Sequence, residues 1–302
     1  MPRFMYDALT GPAERGVVEK LREESRSESI EPTEFSYNAL IFGEIFGILV
    51  FGGMAAIIWS GHPSFAGLFG VVKALFFIIT IGLGLFLLIV GLPVTIFHVR
   101  VQWAEYYRAR TFASANGMTY VAAADAWNMD GAIFHMQGAK RRRSGGIFRS
   151  ADWPGFEVVG HYHYRRENRE VHWGYIAVDM RRALPHLVLR SKRRRLAHSR
   201  FMKRYAKSAE ITLDVDKARR FTLYGDPDAS SVARALFSND LVTKLADLGP
   251  GIDAETIGTY LFVYSSRQFK VPRAKVVRSL FEVLHVALDY RKEPAPPPKL
   301  HT

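Results

Sequence analysis

The sequence predicts a membrane protein, built as a two-helix transmembrane hairpin followed by a cytoplasmic mixed α+β domain. Three observations carry this expectation. Residues 40–59 hold one charge, and residues 74–97 hold none. Residues 98–302 hold 35 basic and 20 acidic side chains, whereas 1–38 hold five and eight, so the positive field belongs to the C-terminal part. Short apolar alternations in that part interleave with segments of helical period, which suits an α+β order more than regular βαβ units. The absence of cysteine from all 302 residues excludes a disulfide scaffold, a thiolate-held cluster and thiol chemistry.

The opening residues 1–38 read as a small cytoplasmic segment with a β-hairpin. Phe4, Tyr6 and Ala8 alternate, Gly11-Pro12 is turn material, and residues 16–19 can return as a second strand. Residues 39–99 form the expected hairpin, with spans at about 40–59 and 74–97. At 1.5 Å per residue the second run extends about 36 Å, enough for a hydrocarbon layer of roughly 30 Å. Glu44 lies one turn inside the first run, where a carboxylate must reach the interface, pair with another helix or take up a proton. Gly61 and Pro63 punctuate the connection. Gly43 and Gly47 form a GxxxG pair that serves either packing within the hairpin or a homo-oligomer. The connection lacks Lys and Arg, whereas Arg22, Arg26, Arg100, Arg108 and Arg110 flank the other ends. That asymmetry predicts a multi-pass protein of the cell inner membrane with both termini cytoplasmic.

A juxtamembrane helix is expected over 100–117, with Trp103, Tyr106 and Tyr107 at headgroup level and an end at Asn116-Gly117. The cytoplasmic domain then covers 118–290. Residues 118–121 enter as a strand, and a weakly patterned region follows. Residues 156–165 and 171–180 form the clearest strand pair, joined by a polar turn. Further strands are expected at 184–189, 211–215, 221–224 and 259–264. Asp228 is placed to cap a helix over 229–237, Ser238 to restart one over 238–248, and Val276, Leu280, Phe281, Leu284 and Leu288 mark a last amphipathic helix. Residues 291–302 form a Pro-rich tail.

Two resemblances attach to these segments. The run RFTLYGDPDASSVARALFSNDLVTKLADL, followed by GTYLFVYSS and preceded by Phe112, Ala113, Asn116-Gly117 and Tyr120, resembles a family of bacterial two-span inner-membrane proteins with a cytoplasmic domain of unknown function. In that family a strand with an acidic turn leads to two helices broken by a threonine-proline step, where this chain has Ser238-Asn239. The resemblance implies fold and location and assigns no catalytic residue. The opening FMYDAL…RGVVE is similar to the start of platform proteins of type II secretion and type IV pilus systems, although the large helical domain of those proteins has no counterpart here.

Enzyme signatures are poor. There is no Walker A run, GxGxxG, HExxH or GxSxG, so no catalytic residue and no cofactor is assigned, and the chain reads as a non-enzyme more readily than as an enzyme. His161 and His163 share one strand face, and pairing Arg165 with Glu170 brings His172 opposite His163. Three imidazoles could hold zinc, which makes a metal-dependent hydrolase the alternative, but neighbouring arginines and the lack of an orienting carboxylate set argue against it. Tyr162, Tyr164, Trp173 and Tyr175 fall on the opposite face and are assigned to the core. Ser144-Gly145-Gly146 reads as a flexible loop beside a basic run.

The strongest functional surface is electrostatic. Lys140, Arg141, Arg142 and Arg143 form one basic run, and Lys192, Arg193, Arg194 and Arg195 another, with more cations at 200–207. Beside an inner leaflet these groups attract anionic lipid. Nucleic acid is disfavoured as a partner because no reading module accompanies the charge. The leading function is a membrane-tethered interaction or structural protein that contacts lipid or another envelope protein. An accessory subunit of a transport complex is a further alternative.

Overall fold

The computed structural model describes residues 4–27, 37–60, 68–125, 129–149, 156–167, 169–192, 209–269 and 273–292. The chain divides into two compact units, one made of Glu14–Glu105 and the other of Met1–Ala13 with Tyr106–Thr302.

In the first unit, α2 (Arg15–Ser27) precedes α3 (Tyr37–Ser60), α4 (Leu68–Phe86), a π-turn (Leu87–Gly91) and the start of α5 (Leu92–Ala115). Helices α3 and α4 are neighbours, and Gly47 and Gly84 stand at ordinary contact distance from side chains across this unit. A Cβ on Gly47 would meet Leu87 Cδ1 at 3.4 Å, and one on Gly84 would meet Phe51 Cβ at 3.7 Å. The GxxxG glycine Gly47 thus serves packing within the chain, while Gly43 faces open space.

The expected two-span hairpin is corrected here. Among the described residues one helix is long and apolar enough to cross a membrane, Ala74–Ala115, and the other apolar helical stretch is only Gly43–Gly53. That second stretch carries Glu44, a carboxylate that is costly in hydrocarbon. The multi-pass inner-membrane location with both termini cytoplasmic falls with it, since that orientation rested on two spans. The tip residues 61–67 lie outside the described residues. Trp103 and Tyr106 are also corrected: both are buried, 8% and 5% exposed, so protein and not headgroups surrounds them.

In the second unit, a nine-stranded sheet runs in the order β1-β2-β3-β4-β9-β8-β5-β7-β6, with every neighbouring pair antiparallel. The strands are β1 (Thr119–Asp125), β2 (Lys140–Arg149), β3 (Phe156–Arg166), β4 (Arg169–Asp179), β5 (Leu187–Ser191), β6 (Ala209–Ile211), β7 (Phe221–Gly225), β8 (Ile252–Ile257) and β9 (Tyr260–Ser265). Helices α6 (Ser230–Leu236), α7 (Asn239–Asp247) and α8 (Ala274–Lys292) supply one cover. Their apolar stripes, with Leu236, Leu241, Leu245, Leu280 and Phe281, share one core with Val159, Ile176, Val178, Leu261 and Val263 from alternate strand positions. Ser238 caps α7 by accepting from Leu241 N–H, and Asp226, two residues before the expected Asp228, accepts from Asp228 N–H.

The opening segment forms α1 (Asp7–Thr10) and α2, which corrects the β-hairpin reading of residues 4–19. Three alternating residues cannot hold a strand without a partner, and RGVVEKLREESRS is rich in helix formers with Val18 and Leu21 one turn apart. Residues 4–11 instead dock on the end of α5 and on α8. The Phe4 ring meets Phe281 at 4.5 Å edge-on, Tyr6 stacks on Phe112 at 5.8 Å, and Met5 N–H donates to Asn116 Oδ1 at 2.8 Å. Fully burying a ring such as Phe281 contributes about 1.5–3 kcal/mol. Helix α5 ends where Asn116-Gly117 predicts: Gly117 takes φ +65°, and Met118 N–H returns to Ala113 O at 2.8 Å.

Candidate functional site

The three sheet histidines do not converge as a ligand set. The register sets Arg165 opposite Glu170 and His163 opposite His172, as the turn length predicts. The His163 and His172 rings lie 5.6 Å apart between centroids. His172 Nδ1 faces Gln268 Nε2 at 3.2 Å, and its Nε2 lies 3.7 Å from Glu170 Oε2. His161 is drawn the other way, onto Gly146, where an added Cβ would meet its Nδ1 at 2.7 Å. Among the described residues no group of three His, Cys, Asp or Glu side chains could hold a metal ion.

The opposite face of these strands is the second core. Tyr162, Tyr164, Trp173 and Tyr175 are buried there with Phe262 and Tyr264. A short 3-10 turn, Ala132–His135, covers them through Phe134, whose ring meets Tyr162 at 4.9 Å and Tyr175 at 5.1 Å. Burial pushes the Tyr162 hydroxyl up to about 12, with Arg142 opposing, and raises Tyr164 and Tyr175 as well.

A carboxylate fastens that cover. Glu255 on β8 is fully buried. Its Oε2 accepts from Ala132 N–H at 3.0 Å and from Tyr264 OH at 2.9 Å, and its Oε1 lies 3.1 Å from His186 Nε2. His186, just before β5, has a side chain 41% exposed, so the pair links a buried charge to a solvent-reaching imidazole. A carboxylate in this position fixes the orientation of the ring. Neighbouring Asp253 accepts from Ser191 N–H at 2.9 Å, and Thr256 Oγ1 accepts from Leu187 N–H at 2.9 Å. The sequence reading missed this group because β8 was not anticipated. IDAETI alternates, and alternation by itself assigns Asp253 and Glu255 to solvent, whereas a central strand buries both faces.

The expected loop at Ser144-Gly145-Gly146 is strand, and the basic run Lys140, Arg141, Arg142 and Arg143 before it is exposed. That run opens β2, and Ser144 directly after it is fully buried. Gly146 adopts φ +59°, at an irregularity between Gly145 and Phe148 that lets the strand continue. In the second basic run Lys192 is exposed after β5, while Arg193, Arg194, Arg195 and the cations at 200–207 lie outside the described residues.

No protein-family profile, curated protein or solved structure matches the chain.

Proposed function

We propose that this protein is a membrane-associated interaction protein whose sheet domain contacts anionic phospholipid. The observation that carries the reading is the helix Ala74–Ala115, of whose most apolar window only 6% is buried. Leu75, Phe76, Ile78, Ile79, Ile89 and Phe97 are all among its exposed large side chains. Apolar surface on that scale needs a cover, and a hydrocarbon layer is the cover that the uncharged run 74–97 of this helix, about 36 Å long, fits. The formal net charge of +12 and the exposed Lys140, Arg141, Arg142 and Arg143 make anionic headgroups the matching partner.

The test is alkaline carbonate extraction of membranes from cells expressing the full chain. Retention in the membrane pellet is expected. Release of folded protein into the supernatant would overturn the reading.

A further inference from the structure

Strand pairing joins cations that lie far apart in sequence. Lys140 at the start of β2 sits opposite Arg165 of β3, and Arg166 sits opposite Arg169 across the β3–β4 turn. Arg143 lies opposite His163, which lies opposite His172. Between Lys140 and Arg143 the register shifts by one residue, and Arg141 takes φ +52°. Such a bulge re-aims the side chains around it. Arg142 acts on Tyr162 and Arg166 on Tyr164, so both cations lie near the tyrosine face of the sheet end.

Directly opposed like charges destabilise a sheet. Here two such pairs stand side by side, and among the described residues the carboxylates beside them are two: Glu170, opposite Arg165, and Glu167, 3.7 Å from Arg166 with its own side chain 80% exposed. Neighbouring strands lie about 4.8 Å apart, so three strand ends present cations over roughly 10 Å, in an edge and not a pocket. That spread matches a surface bearing many phosphates better than one small anion. The aromatic side chains that would stack on bases, Tyr162, Tyr164 and Trp173, are at most 1% exposed, which disfavours single-stranded nucleic acid.

We infer that this end of the sheet, formed by residues 140–143 with Arg165, Arg166 and Arg169, is a docking edge for anionic phospholipid headgroups. The inference rests on the membrane reading above, because a tether through Ala74–Ala115 keeps such headgroups at high local concentration.

The chain has no cysteine, so Glu167→Cys gives one labelling site at the turn. The full chain carrying a fluorophore there is reconstituted into discs of phosphatidylcholine, with or without phosphatidylglycerol. Each disc contains a trace of lipid with a nitroxide quencher on its headgroup. Quenching is expected to appear with phosphatidylglycerol and to disappear near 0.5 M salt, since ions at about 1 M screen beyond roughly 3 Å. Removing one cation near such a surface weakens attachment about fivefold. The Lys140→Gln/Arg165→Gln variant should therefore lose more than tenfold. Glu170→Gln, which adds net positive charge by removing the carboxylate opposite Arg165, should shift quenching to lower phosphatidylglycerol content. Circular dichroism checks that both variants fold.

Chain that never enters the discs would remove the membrane reading and this edge with it. Chain that enters, yet shows equal quenching in both discs or in the neutralised variant, would overturn the edge alone. Suppression by a few millimolar inorganic phosphate would assign the edge to a small free anion instead. Binding of a labelled oligonucleotide to chain in phosphatidylcholine discs, lost in the neutralised variant, would reassign it to nucleic acid.

Discussion

Glu255 and Glu44 both sit among apolar side chains, in different units of the chain, and they are held very differently. Glu255 meets three donors from three separate segments: a backbone N–H at Ala132, a tyrosine hydroxyl at Tyr264 and the His186 ring. Glu44 meets one, Thr95 Oγ1 at 2.7 Å, and its Oε2 is buried without a hydrogen-bond partner among the described residues. Gly91, at the end of the π-turn, lies beside the carboxylate; a Cβ there would stand 3.5 Å from Glu44 Oε1. The difference follows from secondary structure. Helices spend their internal N–H groups on their own carbonyls, so a carboxylate between helices finds only side-chain donors. The irregular cover over the sheet has backbone N–H groups to offer, and neighbouring strands add side chains.

The largest expected effect comes from removing the better-held group. Glu255→Ala strands the buried Ala132 N–H and Tyr264 hydroxyl and frees the half-exposed His186 ring, and at about 1–3 kcal/mol for each buried donor should cost about 2–5 kcal/mol. Urea unfolding followed by far-ultraviolet circular dichroism reads it, and a loss below about 1 kcal/mol would break the contrast. Tyr264→Phe removes one of three donors and should cost about 1–2 kcal/mol. Combined with Glu255→Ala it should add almost nothing, because both changes strike the same contact.

On the helical side Thr95→Val removes the one donor of Glu44 and should cost about 1 kcal/mol. The Glu44→Leu/Thr95→Val pair should come close to neutral, since replacing both partners by apolar groups leaves nothing unsatisfied. A large loss in the double variant would give Glu44 a partner beyond Thr95.

The last expectation has no effect at neutral pH. Burial raises Tyr162 to about 12, and burial with Glu282 nearby raises Tyr6 to about 12. Below pH 10 both hydroxyls are protonated, folded or unfolded. Between pH 10 and about 12 the unfolded chain releases these protons and the folded chain keeps them, so stability falls as pH rises through that window. The part of the phenolate absorbance lost in Tyr6→Phe and Tyr162→Phe variants should grow in step with loss of the fold, and not ahead of it. Full titration of the tyrosines near pH 10 in folded protein would contradict the burial.

Local pattern was sufficient where the interacting residues are close along the chain. Alternation in 156–165 and 171–180 with a short polar turn leaves few registers, and the Arg165–Glu170 and His163–His172 pairs follow from it. The apolar stripe of α8 and the Asn116-Gly117 stop of α5 are equally local, because a 3.6-residue period and a left-handed glycine act within a turn or two. The run 74–97 marked the apolar helix, although tertiary surroundings, and not hydropathy, decided that Trp103 and Tyr106 are buried.

The sequence by itself also determined that positive charge gathers beyond residue 98, since net charge is a sum that needs no fold. Which cations become neighbours was decided only by pairing across strands: Lys140 reaches Arg165 through the β2–β3 register, bulge included. The same holds for Glu255. Its contacts lie 123, 69 and 9 positions away in the chain, and its strand alternates like an ordinary solvent-facing one. Side-chain period tells which residues share a face. Whether that face meets water or another layer depends on contacts between distant segments, so only the assembled sheet turned an apparently exposed glutamate into the buried anchor of its cover.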